Sequence, residues 1–322
     1  MRSILLVKTS SLGDVIHNLP VVSDLRRIWP NIAIDWVVEE AFAEIPRLHP
    51  GVRTVLPMAL RRWRKQLGQR ATWAEMREFV RQLRTPYYDL ILDTQGLIKS
   101  GIITRLARGL RCGYNAEVAR ERHAAWFYDC KYLIPPNAHA VERNRWLSAA
   151  ACAYEQPAAL RYGIHAPQAT PGAVLQPAYC VLLSATSRDD KLWPEENWAR
   201  LGQHLTAQGL RCVLPAGNPR ERERATRIAA SIPGATVAPP SSLNELATLL
   251  AGAVGVVGVD TGLTHLAAAL DRPVVALYVA TDPGLTGVFA GVQAVNLGGK
   301  GQIPSPELVL ASLQSLLTKV HA

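Results

Sequence analysis

Twice along the chain, short apolar runs of strand length alternate with longer segments of helical periodicity, and one Pro- and Gly-rich stretch separates the two series. Strands joined through helices return to the same end of a sheet and pair in parallel, so the fold class is α/β. In the first series residues 3–8 read as a buried strand, a Ser/Gly turn follows, and residues 15–28 read as one helix ending before Pro30. Residues 33–38, 54–56 and 89–92 read as further strands, with helices over 73–83 and 98–107. Pro157, Gly163, Pro167, Pro171, Gly172 and Pro177 punctuate residues 154–177, where a linker is expected. Beyond it the rhythm resumes, with strands at 180–184, 211–214, 254–259 and 274–278, helices near 195–208 and 221–231, and a terminal helix over 306–320. At 322 residues the chain has room for two domains.

Charge divides at the same place. Residues 1–166 hold 24 Lys+Arg against 15 Asp+Glu, whereas the remainder holds 11 of each, so the whole excess of +9 lies in the first half. Its densest part is Arg61-Arg62-Trp63-Arg64-Lys65, which is either a solvated helix face or a surface facing an anion such as nucleic acid, a phosphorylated sugar or an anionic membrane. Five cysteines without CxxC pairing, and no secretory leader, fit a reducing cytosol. No apolar stretch approaches the roughly 18 to 20 residues of a membrane span.

Two Rossmann-like lobes place ligands at the carboxyl ends of their strands, so the loops there should carry the chemistry. After the strand at 254–259, Asp260-Thr261-Gly262-Leu263-Thr264-His265 opens a helix, whose first amides, with a Thr hydroxyl and an unobstructed Gly, suit a diphosphate. An Asp cap followed by a Gly turn would have the same residues, and His265 taken alone fits a structural histidine. After the strand at 180–184 comes Thr186-Ser187-Arg188-Asp189-Asp190-Lys191, whose hydroxyls and cations suit the charge on a departing diphosphate or, equally, a polar turn. Glu221, beyond Pro215-Ala216-Gly217-Asn218-Pro219, is placed to accept hydrogen bonds from a ribose diol. In the first lobe, Lys8-Thr9-Ser10-Ser11-Leu12-Gly13-Asp14 has neither GxGxxG nor P-loop spacing, and Asp14 is either a helix cap or a general base.

The strings KTSSLGDVIHNLP, DWVVEE, RRWRK, DTQGLIKSG, HAVER, TSRDDKLWPEENW and DTGLTHLAAALDRP together resemble the bacterial lipopolysaccharide heptosyltransferases across nearly the whole chain. KTSSLGD and RRWRK resemble heptosyltransferase I more than heptosyltransferase II. The resemblance implies a GT-B architecture: two Rossmann-like domains with parallel sheets facing a central cleft, an acceptor domain over residues 1–165 and a donor domain over 166–303. A C-terminal helix over 304–322 is expected to pack back toward the first domain. The implied reaction moves L-glycero-D-manno-heptose from ADP-heptose to the inner Kdo of Kdo-lipid A with inversion, needing no cofactor and no metal. Asp14 corresponds to the base and Lys191 to the donor-phosphate lysine. Thr186, Ser187, Glu221, Asp260, Thr261, Gly262 and His265 correspond to donor contacts. Ser187 replaces a threonine, and Ser241 stands where some relatives place a methionine near the nucleotide. Arg61, Arg62, Lys65, Arg120, His139 and Arg143 correspond to positions for the phosphorylated, acidic acceptor. The implied protein is a monomer, peripheral on the cytoplasmic face of the inner membrane and held by its anionic surface.

Two other classes compete with that reading. A nucleic-acid-binding protein would explain the +9 but leaves the neutral half without a task, and no nucleic-acid-binding motif is present. An NAD-dependent oxidoreductase would explain two Rossmann-like lobes but not the missing glycine fingerprint.

Overall fold

The computed structural model describes residues 1–168 and 178–320. It separates into two compact units, residues 1–164 and 165–322. The first contains strands β1 (Ser3–Val7), β2 (Ala33–Glu39), β3 (Val52–Met58), β4 (Tyr88–Asp93), β5 (Gly109–Tyr114) and β6 (Cys130–Tyr132), paired throughout in parallel in the order β3-β2-β1-β4-β5-β6. The second contains β7 (Tyr179–Leu183), β8 (Arg211–Leu214), β9 (Thr236–Val237), β10 (Gly255–Val259), β11 (Val274–Tyr278) and β12 (Ala294–Gly298), in the order β12-β11-β10-β7-β8-β9. Counted within each unit, both orders are 3-2-1-4-5-6, the doubly wound arrangement whose switch point lies between the first and fourth strands. That places β1 beside β4, and β7 beside β10, as the two positions where ligands are expected.

Helices cover both faces of such sheets, so the central strands are apolar on both sides. Ile4, Leu5, Leu6 and Val7 of β1 are fully buried, as are Val256, Val257 and Val259 of β10. β5, β6, β9 and β12 have no counterpart among the apolar runs of the sequence. β6 and β9 are short edge strands, and β5 and β12 carry the polar or glycine residues of GLRCGY and AVNLG.

One expectation is corrected. The helix expected over 15–28 is two, Leu12–Ile16 and Leu19–Ile28, because Pro20 has no amide for the carbonyl a turn earlier and restarts the helix after Asn18. The terminal helix Pro306–Val320 belongs to the second unit. Its Val309, Leu313 and Leu316 are buried in the second unit's core with Leu182, Trp198, Val257 and Leu277. Its apolar stripe needs a sheet face to cover, and the helix Glu195–Ala207 with β10, β11 and β12 provides one. Of the expected linker, residues 169–177 lie outside the described residues.

Candidate active site

In the first unit the β1 loop is held from β4. Gln95, just past β4, accepts from the amides of Thr9 (2.8 Å) and Ser10 (3.2 Å) through Oε1, and its Nε2 donates to the Ser10 carbonyl at 2.6 Å. Asp93 fixes Gln95 in turn, accepting from the Gln95 and Gly96 amides at 2.8 and 3.1 Å and from the Tyr128 hydroxyl at 2.6 Å. Gly96 has φ +68°, and a Cβ there would come within 3.3 Å of the Arg120 amide nitrogen, so the turn excludes a larger residue.

This clamp presents Asp14 in the first turn of its helix. Asp14 Oδ2 accepts from the Ser11 amide (2.9 Å), the Ser11 hydroxyl (3.2 Å) and Arg120 Nη1 (3.3 Å). The capping reading is therefore correct, yet Oδ1 takes no part in these bonds. Burial works to raise the Asp14 pKa, but Lys8, Arg120 and the Ser11 amide outweigh it and hold the group below its ordinary value, so it is a carboxylate at neutral pH. Lys8 is buried, with Nζ donating to the Thr94 carbonyl at 2.7 Å and Asn144 Oδ1 at 3.3 Å. Burial pushes its pKa down to about 8 against the opposing pull of Asp14. Lys99 donates to Ser10 Oγ at 2.9 Å, and its pKa is lowered by burial first and, against Glu39, by the charges of Arg61, Arg64 and Arg120.

The sequence-predicted acceptor residues divide into two groups. Arg120 touches Asp14, and Arg61 and Lys65 are exposed, without an ion pair among the described residues. Arg61 lies over the Phe42 ring at 5.5 Å. Arg62, by contrast, is bound by Glu40 at 3.0 Å and Glu75 at 2.9 Å, so its charge is compensated within the fold. His139 is buried and caps the helix Ala140–Cys152 by accepting the Val141 amide at 3.2 Å. Arg143 donates to the Val118 carbonyl at 2.9 Å and stacks over Tyr114 at 5.2 Å, bracing the loop that carries Arg120.

In the second unit three loops at the carboxyl ends of β7, β10 and β11 meet at Asp260. Its Oδ2 accepts from Lys191 Nζ at 2.7 Å and from the Thr281 hydroxyl at 2.8 Å, while Thr186 Oγ1 donates to its carbonyl at 2.8 Å. The Asp-cap reading is thereby excluded. The cap of the helix Gly262–Ala269 is Thr261, whose side chain makes no capping bond, and Asp260 pairs with Lys191 instead. A helix start leaves its first amides without intrahelical partners, which suits an anion. His265 is buried inside this helix.

Beside it lies a pocket of about 330 Å³ that gathers Thr186, Ser187, Asn218, Arg220 and Glu221. The Glu221 carboxylate accepts from the Gly217 amide at 2.8 Å and Asn218 Nδ2 at 2.7 Å, which fixes it at the pocket wall. Ser241 is half-buried and donates to the Pro239 carbonyl at 2.9 Å. Sequence reasoning assigned no role to Gln95, Lys99 or Thr281, and none to Lys8 beyond its place in the loop. Their common signal is position, each at or just beyond the carboxyl end of a strand at or beside a switch point. Among the described residues no cluster of His, Cys, Asp or Glu has the composition of a metal site, and no helix is long and apolar enough to cross a membrane.

Comparison with known proteins gives a consistent set. Residues 76–312 match the model of glycosyltransferase family 9 (heptosyltransferase). The chain is 45% identical to lipopolysaccharide heptosyltransferase 1 of Salmonella typhimurium over 99% of both chains. It is 23% identical to lipopolysaccharide heptosyltransferase 2 of the same organism over 99% of this chain and 97% of that one. A solved structure of the Escherichia coli heptosyltransferase WaaC with ADP superposes with a TM-score of 0.89, at 41% identity, covering 98% of this chain and 99% of that one.

Proposed function

This chain belongs to glycosyltransferase family 9 and is a lipopolysaccharide heptosyltransferase; we propose that it moves L-glycero-D-manno-heptose from ADP-heptose to the inner Kdo of Kdo-lipid A. The observation that carries this reading is the convergence on Asp260 of Thr186, Lys191 and Thr281, from loops up to 95 residues apart in number, at a helix start suited to a diphosphate. The first unit supplies the complement, an ionised carboxylate surrounded by cations suited to an acidic, phosphorylated acceptor.

The chemistry is one displacement. Asp14 takes the proton of the acceptor hydroxyl through Oδ1 as that oxygen attacks the heptose anomeric carbon. Lys191, positioned by its pair with Asp260, and the helix start at Thr261 hold the diphosphate as the C1–O bond breaks. A single attack inverts the centre, so one carboxylate suffices, unlike the pair of a retaining glycosidase. Glu221 accepts from the ribose hydroxyls, and Arg120, Arg61, Lys65 and Lys99 hold the acidic acceptor. With a lipid-anchored acceptor the enzyme works peripherally at the cytoplasmic face of the inner membrane, attracted by its anionic lipids.

Identity of 45% to heptosyltransferase 1 against 23% to heptosyltransferase 2 favours the first Kdo-linked transfer over the second heptose addition. The test is ADP release by purified protein given ADP-heptose with and without Kdo-lipid A. Acceptor-dependent release is expected, and release that ignores the acceptor, or none at all, overturns the reading.

A further inference from the structure

Two elements of the first unit run outward from the Asp14 site and pack on each other. The helix Ile98–Leu106 starts beside Lys99, which is bonded to Ser10, and the helical turn Arg122–Phe127 starts two residues after Arg120, which is bonded to Asp14. Glu121 Oε2 accepts the Ile98 amide at 2.6 Å, and Phe127 covers Gly101 so closely that a Cβ there would meet the ring at 2.6 Å.

Both members of this packed pair leave apolar side chains exposed. Ile98 and Ile102, one helical turn apart, are 38% and 46% exposed, and Trp126 is 75% exposed. Single exposed apolar residues are ordinary; three on two elements packed together beside one site are not. The next position along the helix stripe is Arg105 and the turn opens with Arg122, both exposed, while Glu121 is engaged at the helix start. Aromatic and branched aliphatic groups edged by guanidinium groups match the boundary of a bilayer, where an indole ring sits at headgroup depth and cations meet anionic lipid.

We propose that Ile98, Ile102 and Trp126, edged by Arg105 and Arg122, dock this unit onto an anionic lipid bilayer, setting the Asp14 site at the surface where a lipid-anchored acceptor emerges. The choice of a bilayer over a protein partner rests on the charge complementarity and on the continuity of the patch with the acceptor side. The significance for catalysis rests on the function proposed above; the docking itself does not.

The full-length protein is tested by sedimentation with vesicles of phosphatidylglycerol and phosphatidylethanolamine, and with neutral phosphatidylcholine vesicles, without acceptor. Binding to the anionic vesicles is expected, with Ile102→Ser/Trp126→Ser weakening it by roughly tenfold or more and Trp126→Leu restoring most of it. Brominated lipid should quench wild-type fluorescence more than that of Trp126→Phe. ADP release with a deacylated, water-soluble Kdo acceptor should be unchanged in the double variant, which also shows that it is folded. Wild-type binding by the double variant, or equal quenching of wild type and Trp126→Phe, overturns the docking surface. Failure of the soluble-acceptor assay in wild type overturns the function proposed above and leaves the vesicle result standing.

Discussion

The two units share one strand order and place their sites at equivalent strand ends, yet they handle charge in opposite ways. In the first, Asp14 is outnumbered: Lys8 and Arg120 act on it, Lys99 is bonded to Ser10 of the same loop, and the half as a whole has nine more cations than anions. In the second, Lys191 and Asp260 neutralise one another at 2.7 Å, in a half whose charges balance. Surplus positive charge suits a polyanionic acceptor gathered from a distance, whereas a compensated pair holds one lysine in place without filling the diphosphate site with fixed charge. The same scaffold thus suits an attracting site in one unit and a positioning site in the other.

The strongest way to break this division is at Asp14. Asp14→Asn keeps an acceptor for the Ser11 amide but removes the base, and kcat should fall by roughly 10²- to 10⁴-fold. Affinity for ADP, read by calorimetry, should be unchanged if the nucleotide is held by the other unit, as proposed. A parallel loss of ADP affinity would mean that the two sites are not separable.

Lys191→Ala comes next, with a loss of roughly 10²- to 10³-fold in kcat as the leaving diphosphate loses its cation. The compensated pair adds a sharper expectation. The single variant leaves the Asp260 carboxylate facing the diphosphate with only the Thr281 hydroxyl, so ADP should bind Lys191→Ala more weakly than Lys191→Ala/Asp260→Ala. Equal affinities would show that Asp260 is not a counter-charge.

Much of this was legible in the sequence. The central strands announced themselves because burial on both faces demands unbroken apolar runs such as ILLV and GVVGV. The donor loops were legible as loops, and the resemblance implied roles for them, but the partnership of Lys191 with Asp260 spans 69 residues and exists only once β7 lies beside β10. Gln95 and Thr281 were missed for the same reason: a glutamine after a strand has no local signature, and its meaning comes from amides 85 and 86 residues away. Arg62 is the reverse case, a cation that reads as available until the fold brings Glu40 and Glu75 to it.

Arg120→Gln should raise the acceptor KM by about tenfold, since an exposed guanidinium beside the base loses its charge-assisted bonds. Lys8→Met should have a smaller effect, visible mainly against pH. Lys8 is a cation below about 8 and loses its proton above it. Wild-type kcat/KM for the acceptor should therefore decline through that region, and the variant should lack the decline. Because Lys8 also lowers the Asp14 pKa, its removal should move the acid limb to higher pH, since Asp14 must be ionised to act. For stability the sign is opposite: the folded-state pKa of Lys8 is depressed from its ordinary 10.5, so the protonated group is disfavoured in the native state. Stability relative to Lys8→Met should rise as pH passes from about 8 toward 10.5.

The smallest effect should come from Arg62, and its smallness is the informative part. Five donors on a guanidinium can serve a substrate only if they are not already engaged, and those of Arg62 reach both oxygens of Glu40 and one of Glu75. Releasing them to an acceptor would leave two carboxylates facing an anionic ligand, which opposes binding. Arg62→Gln should therefore change the acceptor KM by no more than about twofold, while Lys65→Gln, which removes an exposed lysine with no ion pair among the described residues, should exceed it. The two KM values measured with the same soluble acceptor decide the matter. If Arg62→Gln costs as much as Arg120→Gln, the acceptor draws Arg62 away from Glu40 and Glu75, and the cations of this unit act as one field whatever their pairing in the free protein.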